Sequence, residues 1–317
     1  MNILVTGAAG FLGRALIGKL DSANIHRVTG SVRKLVAGGV ESDRTIEVGD
    51  LSENTDWTKA LGGVEVVVHL AARAHILDAG DDQSEFERVN VKGAVNLAEQ
   101  ALKSGVKRFV FISSIGVNGA YTEDKAFDEF SSASPHAIYA ESKRRAEELL
   151  WNVVQGSSME LVIIRPPLVY AGHAPGNFQR LLKLVESGIP LPFGLTNNKR
   201  SMVSLDNLTD FISLCIDHPA AANELFLISD GADVSTKEIV CLLADGMGRR
   251  ARLFPVPGFI ACICSSMVGK TSLYTQLFRS LVVDSSKART LLGWVPLQSS
   301  SEALRDAGKR YRSRRSR

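Results

Sequence analysis

Short runs of β-branched and aliphatic residues alternate with longer amphipathic stretches through the first half of the chain. The short apolar runs predict strands and the longer stretches predict helices. The run at residues 64–70 is almost entirely apolar, as expected of a strand buried on both faces of a parallel sheet. The predicted strands are Ile3–Val5, Val28–Val32, Thr45–Val48, Val64–Leu70, Arg108–Ile112 and Leu161–Ile164, and the predicted helices are Phe11–Leu20, Val89–Lys103 and one around Tyr139.

Alternation of strands and helices predicts an α/β fold, a Rossmann-type doubly wound parallel sheet. After residue 167 prolines and glycines become frequent, which indicates loops and a smaller C-terminal lobe over the carboxyl ends of the strands, where such sheets bind ligands. We therefore assign residues 1–170 to a dinucleotide-binding domain and residues 171–317 mainly to a substrate-binding lobe. We expect the chain to return to the first domain around residues 200–230.

Charge excludes one class of partner. The chain has 317 residues and a formal net charge of only +3, so global electrostatics imply no nucleic-acid partner. The positive excess is concentrated in residues 309–317. For this basic tail we expect a frayed, solvated terminus rather than a phosphate or membrane contact.

Cysteine spacing and apolar segments bear on the compartment. The four cysteines are Cys215, Cys241, Cys262 and Cys264. Their spacing fits neither a metal site nor a disulfide framework, so we expect no metal and a reducing, cytoplasmic environment. A strand follows Met1 directly, so we expect no signal peptide. The apolar segment 258–268 is too short to span a bilayer, and a buried helix is favoured over a surface-seeking one.

A glycine-rich turn lies between the first predicted strand and the first helix. Residues 7–13 read Gly-Ala-Ala-Gly-Phe-Leu-Gly. Glycines allow a tight turn and close approach of the backbone to a pyrophosphate, and the N-terminus of the helix then faces the phosphates. The triplet alone is weak evidence, but its position between a strand and a helix predicts a dinucleotide site.

The end of the second strand indicates which dinucleotide binds. A carboxylate there would bind the ribose 2′-hydroxyl of NAD, whereas an arginine accommodates the 2′-phosphate of NADP. Residues 30–34 contain Arg33 and Lys34 and no carboxylate, which favours NADP(H) and leaves NAD(H) as the alternative. Asp50, after the third strand, is placed to meet the adenine, and residues 69–72 could pass close to the dinucleotide.

Tyr139 and Lys143 are four residues apart on a predicted helix and therefore share one face. A neighbouring ammonium favours the phenolate, so we expect a lowered pKa for Tyr139 and proton exchange near neutral pH. A hydroxyl of the pair Ser113-Ser114 could hold a substrate oxygen beside it. This spacing is also common in ordinary amphipathic helices, so its weight depends on the other motifs.

Together these motifs resemble the extended short-chain dehydrogenase/reductase family, in its nucleotide-sugar epimerase/dehydratase branch. The matching segments are Thr6 to Gly13, Gly49-Asp50-Leu51, His69-Leu70-Ala71-Ala72, Asn90-Val91-Lys92-Gly93, Ser113-Ser114, Tyr139 to Lys143 and Arg165-Pro166-Pro167, followed more loosely by residues 176–177, 199–203, 206–208 and 292–296.

The resemblance implies roles for particular residues. It implies a catalytic triad of Ser114, Tyr139 and Lys143, and Ser114 is preferred to Ser113 because it stands three residues before Val117-Asn118-Gly119, where relatives carry Val-Tyr-Gly. The residues implied to bind the substrate are Ser114, Asn177, Arg200 and Arg279. Those implied or expected to bind the dinucleotide are Gly7, Gly10, Phe11, Leu12, Gly13, Arg33, Asp50, Leu51, Leu70, Ala71, Ala72, Tyr139, Lys143 and Pro166.

Two departures from the family pattern narrow the reaction. Dehydratases follow the catalytic hydroxyl with an Asp-Glu pair, where this chain has Ile115-Gly116, so dehydration is disfavoured. Epimerase-reductases that make fucose use a cysteine at the position of Gly116, so His173 is interpreted as a loop residue.

Family members often pair through two long helices, here near residues 89–103 and 139–155, which implies a homodimer.

A 4-keto reductase and a 4-epimerase remain. Arg33 favours the first, an NADPH-dependent reductase of a UDP-2-acetamido-2,6-dideoxy-4-hexulose in the synthesis of surface polysaccharide (O-antigen). The alternative is a UDP-sugar 4-epimerase with tightly bound NAD. A remote third hypothesis is a non-catalytic sensor that binds the dinucleotide.

Overall fold

The structure is a computed structural model and describes residues 1–35, 44–74, 82–267 and 271–315. Val268 in the apolar segment, Ser316 and Arg317 in the basic tail and the side chain of Cys264 lie outside that description. The strands are β1 Asn2–Thr6, β2 Arg27–Val32, β3 Thr45–Glu47, β4 Val66–His69, β5 Arg108–Ile112, β6 Glu160–Arg165, β7 Leu168–Tyr170, β8 Met202–Ser204 and β9 Glu224–Leu227. The α-helices are α1 Phe11–Ala23, α2 Thr58–Leu61, α3 Gln83–Phe86, α4 Gly93–Lys103, α5 Ile138–Val154, α6 Gly176–Ser187, α7 Leu205–Asp217, α8 Thr236–Gly246, α9 Gly258–Met267, α10 Thr271–Phe278, α11 Ser286–Leu292 and α12 Ser300–Arg315.

A seven-stranded sheet of order β3-β2-β1-β4-β5-β6-β9 forms the centre of the fold. All its pairings are parallel, and β1 lies between β2 and β4, with Ile3 paired to Val28 on one side and Val66 on the other. The chain reverses direction across the sheet at β1 and β4, which places a crevice at their carboxyl ends. The predicted Rossmann-type fold is confirmed.

Helices cover both faces of this sheet. On one face the aliphatic residues of β1, β4, β5 and β6 pack against α1 and α7, and on the other they pack against α4 and α5. The strands are therefore buried on both sides, which explains their nearly continuous apolar sequence. A third apolar cluster joins α6, α8 and α12 in the C-terminal lobe, beside the two-stranded sheet of β7 and β8.

The helix predicted at residues 89–103 begins differently from the prediction. Residues Glu87–Lys92 form a π-helix, and the regular helix α4 starts only at Gly93. A π-turn inserts one extra residue per turn and is often found at functional sites. Here it leaves Asn90 buried and directed towards α5.

The apolar segment forms α9, but the prediction that this helix is buried is wrong for the side chains described. Phe259 is 68% exposed, Ile263 55% and Ile260 41%. The helix packs against α10 at the periphery of the lobe and not between layers, so its composition alone did not decide its burial. None of the described helices is long and apolar enough to cross a bilayer.

The basic tail is ordered as far as Arg315, so the prediction of a frayed terminus is wrong over that range. This part of the tail is the C-terminal end of α12, and α12 packs against α8. Tyr311 is buried in the core of the lobe, and its hydroxyl donates to Glu186 at 3.0 Å. Arg315 forms an ion pair with the same carboxylate. One aromatic anchor and one ion pair thus fix a segment that charge alone would leave in solvent.

Candidate active site

The glycine turn is shaped so that backbone, not side chains, borders the crevice. Gly7 has φ +69°, and a Cβ on it would lie 3.0 Å from the backbone of Ala71. A Cβ on Gly13 would lie 2.2 Å from the carbonyl oxygen of Gly7. Gly10 is the N-cap of α1 and carries no side chain to cap it, which leaves the N–H groups of the first turn for another acceptor. This arrangement fits a dinucleotide pyrophosphate.

Thr6 joins the turn to the neighbouring loop, a role that sequence reasoning did not assign. Its Oγ1 accepts hydrogen bonds from the N–H groups of Leu70 and Ala71, each at 3.1 Å. The hydroxyl hydrogen is then directed to Nδ1 of His69, at 2.8 Å. Burial, with a smaller effect of the Lys143 charge, lowers the pKa of His69 to about 3, so the imidazole is neutral. The loop 70–72 is thereby held against the predicted dinucleotide turn.

Arg33 and Asp50, which were assigned separate contacts with the dinucleotide, lie opposite each other. The Nε of Arg33 is 3.1 Å from a carboxylate oxygen of Asp50, and the two side chains are 81% and 67% exposed. An ion pair this exposed is weak, so a phosphate could displace the carboxylate from Arg33. Leu51, by contrast, packs partly into the apolar layer beneath the sheet.

Helix α5 places Tyr139 and Lys143 beside the ends of β4 and β5. Lys143 is 2% exposed; its Nζ donates to the carbonyl of Ile112 at 2.8 Å and lies 4.4 Å from the ring centre of Phe111. Tyr139 is half-buried and packs edge-on against Phe86. The two predicted catalytic residues therefore share the face that their spacing implied.

Their charge states differ from the prediction. Burial raises the pKa of Tyr139 to about 12, so the expected lowering by Lys143 is wrong for this structure. Burial also lowers the pKa of Lys143 to about 7, an effect that the Glu147 carboxylate partly offsets. Desolvation is the cause of the shift at Tyr139 and the larger cause at Lys143, and Tyr139 is a neutral phenol at neutral pH.

The two serines at the end of β5 have different environments. Ser113 is buried and its hydroxyl donates to Glu147. Ser114 is half-buried and its Oγ accepts from the N–H of Gly116 at 3.1 Å, which leaves its hydroxyl hydrogen for another acceptor. The turn after Ser114 is also bonded to the residue that follows β6, because the N–H of Ile115 donates to the carbonyl of Pro166 at 3.0 Å.

Asn118 stands where relatives carry a tyrosine that packs the substrate pocket, and here it has another role. It is 1% exposed, and its Oδ1 accepts from Arg165 at 3.0 Å. Its side-chain amide donates to the carbonyl of Ser131 at 3.2 Å. Asn118 therefore belongs to a buried polar network beneath the site.

Asn90, in the segment Asn90-Val91-Lys92-Gly93, has a structural role that its sequence motif did not reveal. Its side-chain amide donates to Ser142 at 3.0 Å and to the carbonyl of Arg73 at 3.1 Å, and it accepts from the Arg73 N–H at 2.7 Å. Ser142 in turn donates to the carbonyl of Tyr139. Through Asn90, the π-helix Glu87–Lys92 thus holds the segment after β4 against the start of α5.

Of the residues expected to bind the substrate, Arg200 and Arg279 lie on the C-terminal lobe, apart from Ser114 at the end of β5. Arg200 approaches the carbonyl of Arg279 at 3.4 Å, and burial lowers its pKa to about 10. The guanidinium of Arg279 lies 4.0 Å from the ring centre of Tyr121 and 3.5 Å from a carboxylate oxygen of Glu123. The structure therefore brings Arg200 and Arg279 together.

Asn177 and His173 are two further residues to which the sequence analysis gave an interpretation. Asn177 is the second residue of α6, and its side-chain amide donates to Gln276 of α10 at 2.9 Å; within the part of the chain that the structure describes, it makes no hydrogen bond to Arg200 or Arg279. His173, interpreted as a loop residue, lies edge-on to Phe11 of the predicted dinucleotide turn, with ring centres 5.2 Å apart.

Three features together define an enzyme of the extended short-chain dehydrogenase/reductase type. They are the doubly wound parallel sheet, the glycine turn that fits a pyrophosphate, and the helix that carries Tyr-x-x-x-Lys beside Ser114. The chain matches the NAD dependent epimerase/dehydratase family over residues 3–229 and belongs to it. The resemblance drawn from the motifs is thereby confirmed, and with it a nicotinamide dinucleotide as the cofactor.

Similar proteins agree with this assignment. A UDP-glucose 4-epimerase of Vibrio cholerae is 43% identical over 316 residues, which cover 98% of this chain and 95% of that protein. An N-acetyl-α-D-glucosaminyl-diphospho-ditrans,octacis-undecaprenol 4-epimerase of Escherichia coli O157:H7 is 28% identical over 85% of this chain and 80% of its own. A Bacillus cereus UDP-glucuronic acid 4-epimerase, solved with NAD, superposes with a TM-score of 0.80 and 24% identity over the whole of both chains.

Proposed function

We propose that this enzyme reduces the C4 keto group of a UDP-2-acetamido-2,6-dideoxy-4-hexulose with NADPH. The observation that carries the proposal is the end of β2, where residues 30–34 provide Arg33 and no carboxylate. An arginine there suits the 2′-phosphate of NADP, a cofactor that arrives reduced and leaves oxidised. A cofactor that is exchanged after each turnover supports net reduction of the sugar, whereas an epimerase returns the hydride to the same sugar.

The site residues have complementary tasks in this reaction. NADPH, when bound along the glycine turn, supplies the hydride to C4. Ser114 holds the C4 oxygen by donating its hydroxyl hydrogen, and Tyr139, a neutral phenol, gives that oxygen its proton. The Lys143 ammonium orients the ribose next to the nicotinamide and favours the tyrosinate left behind. A hydride and a proton together convert the ketone to an alcohol.

The lobe is proposed to hold the nucleotide diphosphate. Arg200 and Arg279 lie together there, and a guanidinium offers a planar pair of donors that matches phosphate oxygens. Asn177, at the start of α6, supplies a further amide. The stacking of Arg279 on Tyr121 would keep its guanidinium in place before the substrate arrives.

A UDP-sugar 4-epimerase with tightly held NAD is the second candidate. The 43% identity with the Vibrio cholerae UDP-glucose 4-epimerase over nearly the full length favours it. The same serine, tyrosine and lysine serve both reactions, so they do not distinguish the two.

A role in surface polysaccharide synthesis is supported by the undecaprenol-linked relative. The need for a nucleotide-sugar substrate, which both reactions share, would place either reaction in the cytoplasm.

One assay separates the two candidates. Purified protein is incubated with a UDP-2-acetamido-2,6-dideoxy-4-hexulose and NADPH, NADH or no added cofactor, while absorbance and product are followed. We expect oxidation of NADPH in step with formation of the 4-hydroxy sugar. In a parallel incubation with a UDP-hexose, interconversion at C4 without added cofactor, together with no oxidation of NADPH by the 4-hexulose, would replace the reductase with the epimerase.

Arg33 is expected to decide the choice of dinucleotide. The change Arg33→Gln removes its charge without placing a second carboxylate beside Asp50, and we expect weaker binding of NADPH by about tenfold or more with NADH little affected, since a guanidinium–phosphate contact contributes about 1.5–3 kcal/mol. Lys34→Gln, one residue further and also exposed, is the matched control. Equal losses for both dinucleotides, or for both variants, would mean that Arg33 does not contact the phosphate.

The homodimer also stays a proposal. Helices α4 and α5 pack side by side, and Leu149 of α5 is 38% exposed on their outer surface. Light scattering that returns the mass of one chain would contradict it.

A further inference from the structure

We propose that Glu147 is a positioning residue, whose carboxylate fixes the ends of β5 and β6 against α5 and acts as the counter-charge that keeps Lys143 an ammonium. The proposal rests on the roles given above to Tyr139 and Lys143, which are the same for a reductase and an epimerase. Glu147 itself is not expected to touch the sugar or the dinucleotide, since it lies beneath them at 4% exposure.

Position along the helix is the first observation. Glu147 follows Lys143 by four residues as Lys143 follows Tyr139, so the three side chains form one row along α5. The row passes from the half-buried phenol to two side chains that are almost completely buried. A carboxylate in such a position is retained only when it is paired, and a buried lysine needs an opposite charge nearby to stay protonated.

The contacts of Glu147 are the second observation. It accepts a hydrogen bond from Ser113 and two from Arg165, one of them from Nε at 2.9 Å. Ser113 precedes the catalytic Ser114, and Arg165 precedes Pro166, whose carbonyl holds the turn after Ser114. A single carboxylate thus connects the helix of Tyr139 with both strand ends that border the site.

Charge balance around Lys143 is the third observation. The titratable side chains that face it are neutral His69 from β4, Tyr139 and Glu147 from α5 and Arg165 from β6 beyond Glu147. Burial lowers the pKa of Lys143 to about 7, and Glu147 is the carboxylate that raises it. Since the ammonium is lost as pH rises through this pKa, removal of Glu147 should move that loss to lower pH.

The test compares Glu147→Gln with the wild type in two measurements. One is the titration of the Lys143 ¹³Cε resonance in the substrate-free protein, assigned by its loss in Lys143→Arg. The other is the pH profile of turnover. We expect both to move to lower pH by about one unit, so that turnover at pH 8 falls about tenfold while KM changes little. The control, Glu148→Gln, removes a 58% exposed carboxylate paired with Arg144 and should leave both curves unchanged.

A second variant guards against loss of folding, because Glu147→Gln leaves Arg165 buried without its partner. The double change Glu147→Gln with Arg165→Met removes both charges and should fold. A purely structural role predicts that the double variant regains the wild-type titration. The proposal predicts that Lys143 still titrates at lower pH than in the wild type, by less than in Glu147→Gln because the positive charge of Arg165 is removed as well. Wild-type titration of Lys143 in either folded variant would overturn the proposal. Since the resonance is read without substrate, it tests Glu147 even if the reductase assay fails.

Discussion

Replacement of Tyr139 by phenylalanine is expected to reduce turnover by at least about 100-fold, the usual contribution of a well-placed proton donor. The change removes only the hydroxyl and leaves the ring that packs against Phe86, so the fold and the dinucleotide turn should be unaffected. Oxidation of NADPH measures turnover, and fluorescence titration measures dinucleotide binding, which we expect to be within about threefold of the wild type (under 1 kcal/mol).

Tyr311→Phe provides the matched control, because it removes a hydroxyl that bonds Glu186 in the C-terminal lobe and lies outside the site. It should cost about 1 kcal/mol of folding free energy and no turnover. If Tyr139→Phe keeps a third or more of the wild-type rate, the phenol is not the proton donor. If it also loses dinucleotide binding, the effect is on positioning and not on proton transfer.

The change Gly13→Ala is expected to abolish dinucleotide binding at ordinary concentrations. Its Cβ would lie 2.2 Å from the carbonyl oxygen of Gly7, far inside contact distance, so the turn must move. Backbone shifts of this kind cost about 1–3 kcal/mol or more in folding free energy, and loss of the turn should weaken NADPH binding on the order of 100-fold. Urea unfolding and calorimetric titration measure the two effects.

Gly18→Ala, in the same helix α1, is the control. Gly18 is exposed and has nothing within 4 Å of its missing Cβ, so alanine there should stabilise the protein by about 0.5–1 kcal/mol and leave binding unchanged. Similar behaviour of the two variants would show that the close approach of Gly13 to Gly7 is not what shapes the dinucleotide site.

Much of the first half could be predicted from sequence because each of its strands is short, apolar and buried on both faces. Six of the strands were located to within two residues at each end, and the glycine turn was found between β1 and α1. The π-helix at Glu87–Lys92 could not be predicted, since its apolar pattern resembles that of a regular helix. The exposure of α9 was missed because apolar composition says nothing about whether another layer lies above the helix.

The site was predicted in outline and missed in its electrostatics. The spacing of Tyr139 and Lys143 placed both on one face, but spacing carries no information on burial, and burial determines both pKa values here. Glu147 could have been found from the sequence, because it follows Lys143 by four residues, as Lys143 follows Tyr139. What linked it to the site was the contact with Ser113 and Arg165, which come from separate strands.

The neutral, buried His69 beneath the dinucleotide loop has a consequence for tolerance of acid. An unfolded chain protonates this imidazole below its ordinary pKa of 6.5, while the folded chain resists until about pH 3. Unfolding therefore takes up a proton throughout that interval, and the free energy of unfolding falls as pH falls from 6.5 towards 3. Lys143 acts in the same sense between its ordinary pKa of 10.5 and about 7. Each of these two buried bases next to the reaction centre thus makes the folded protein less stable as pH falls, His69 in the acid range and Lys143 in the alkaline range.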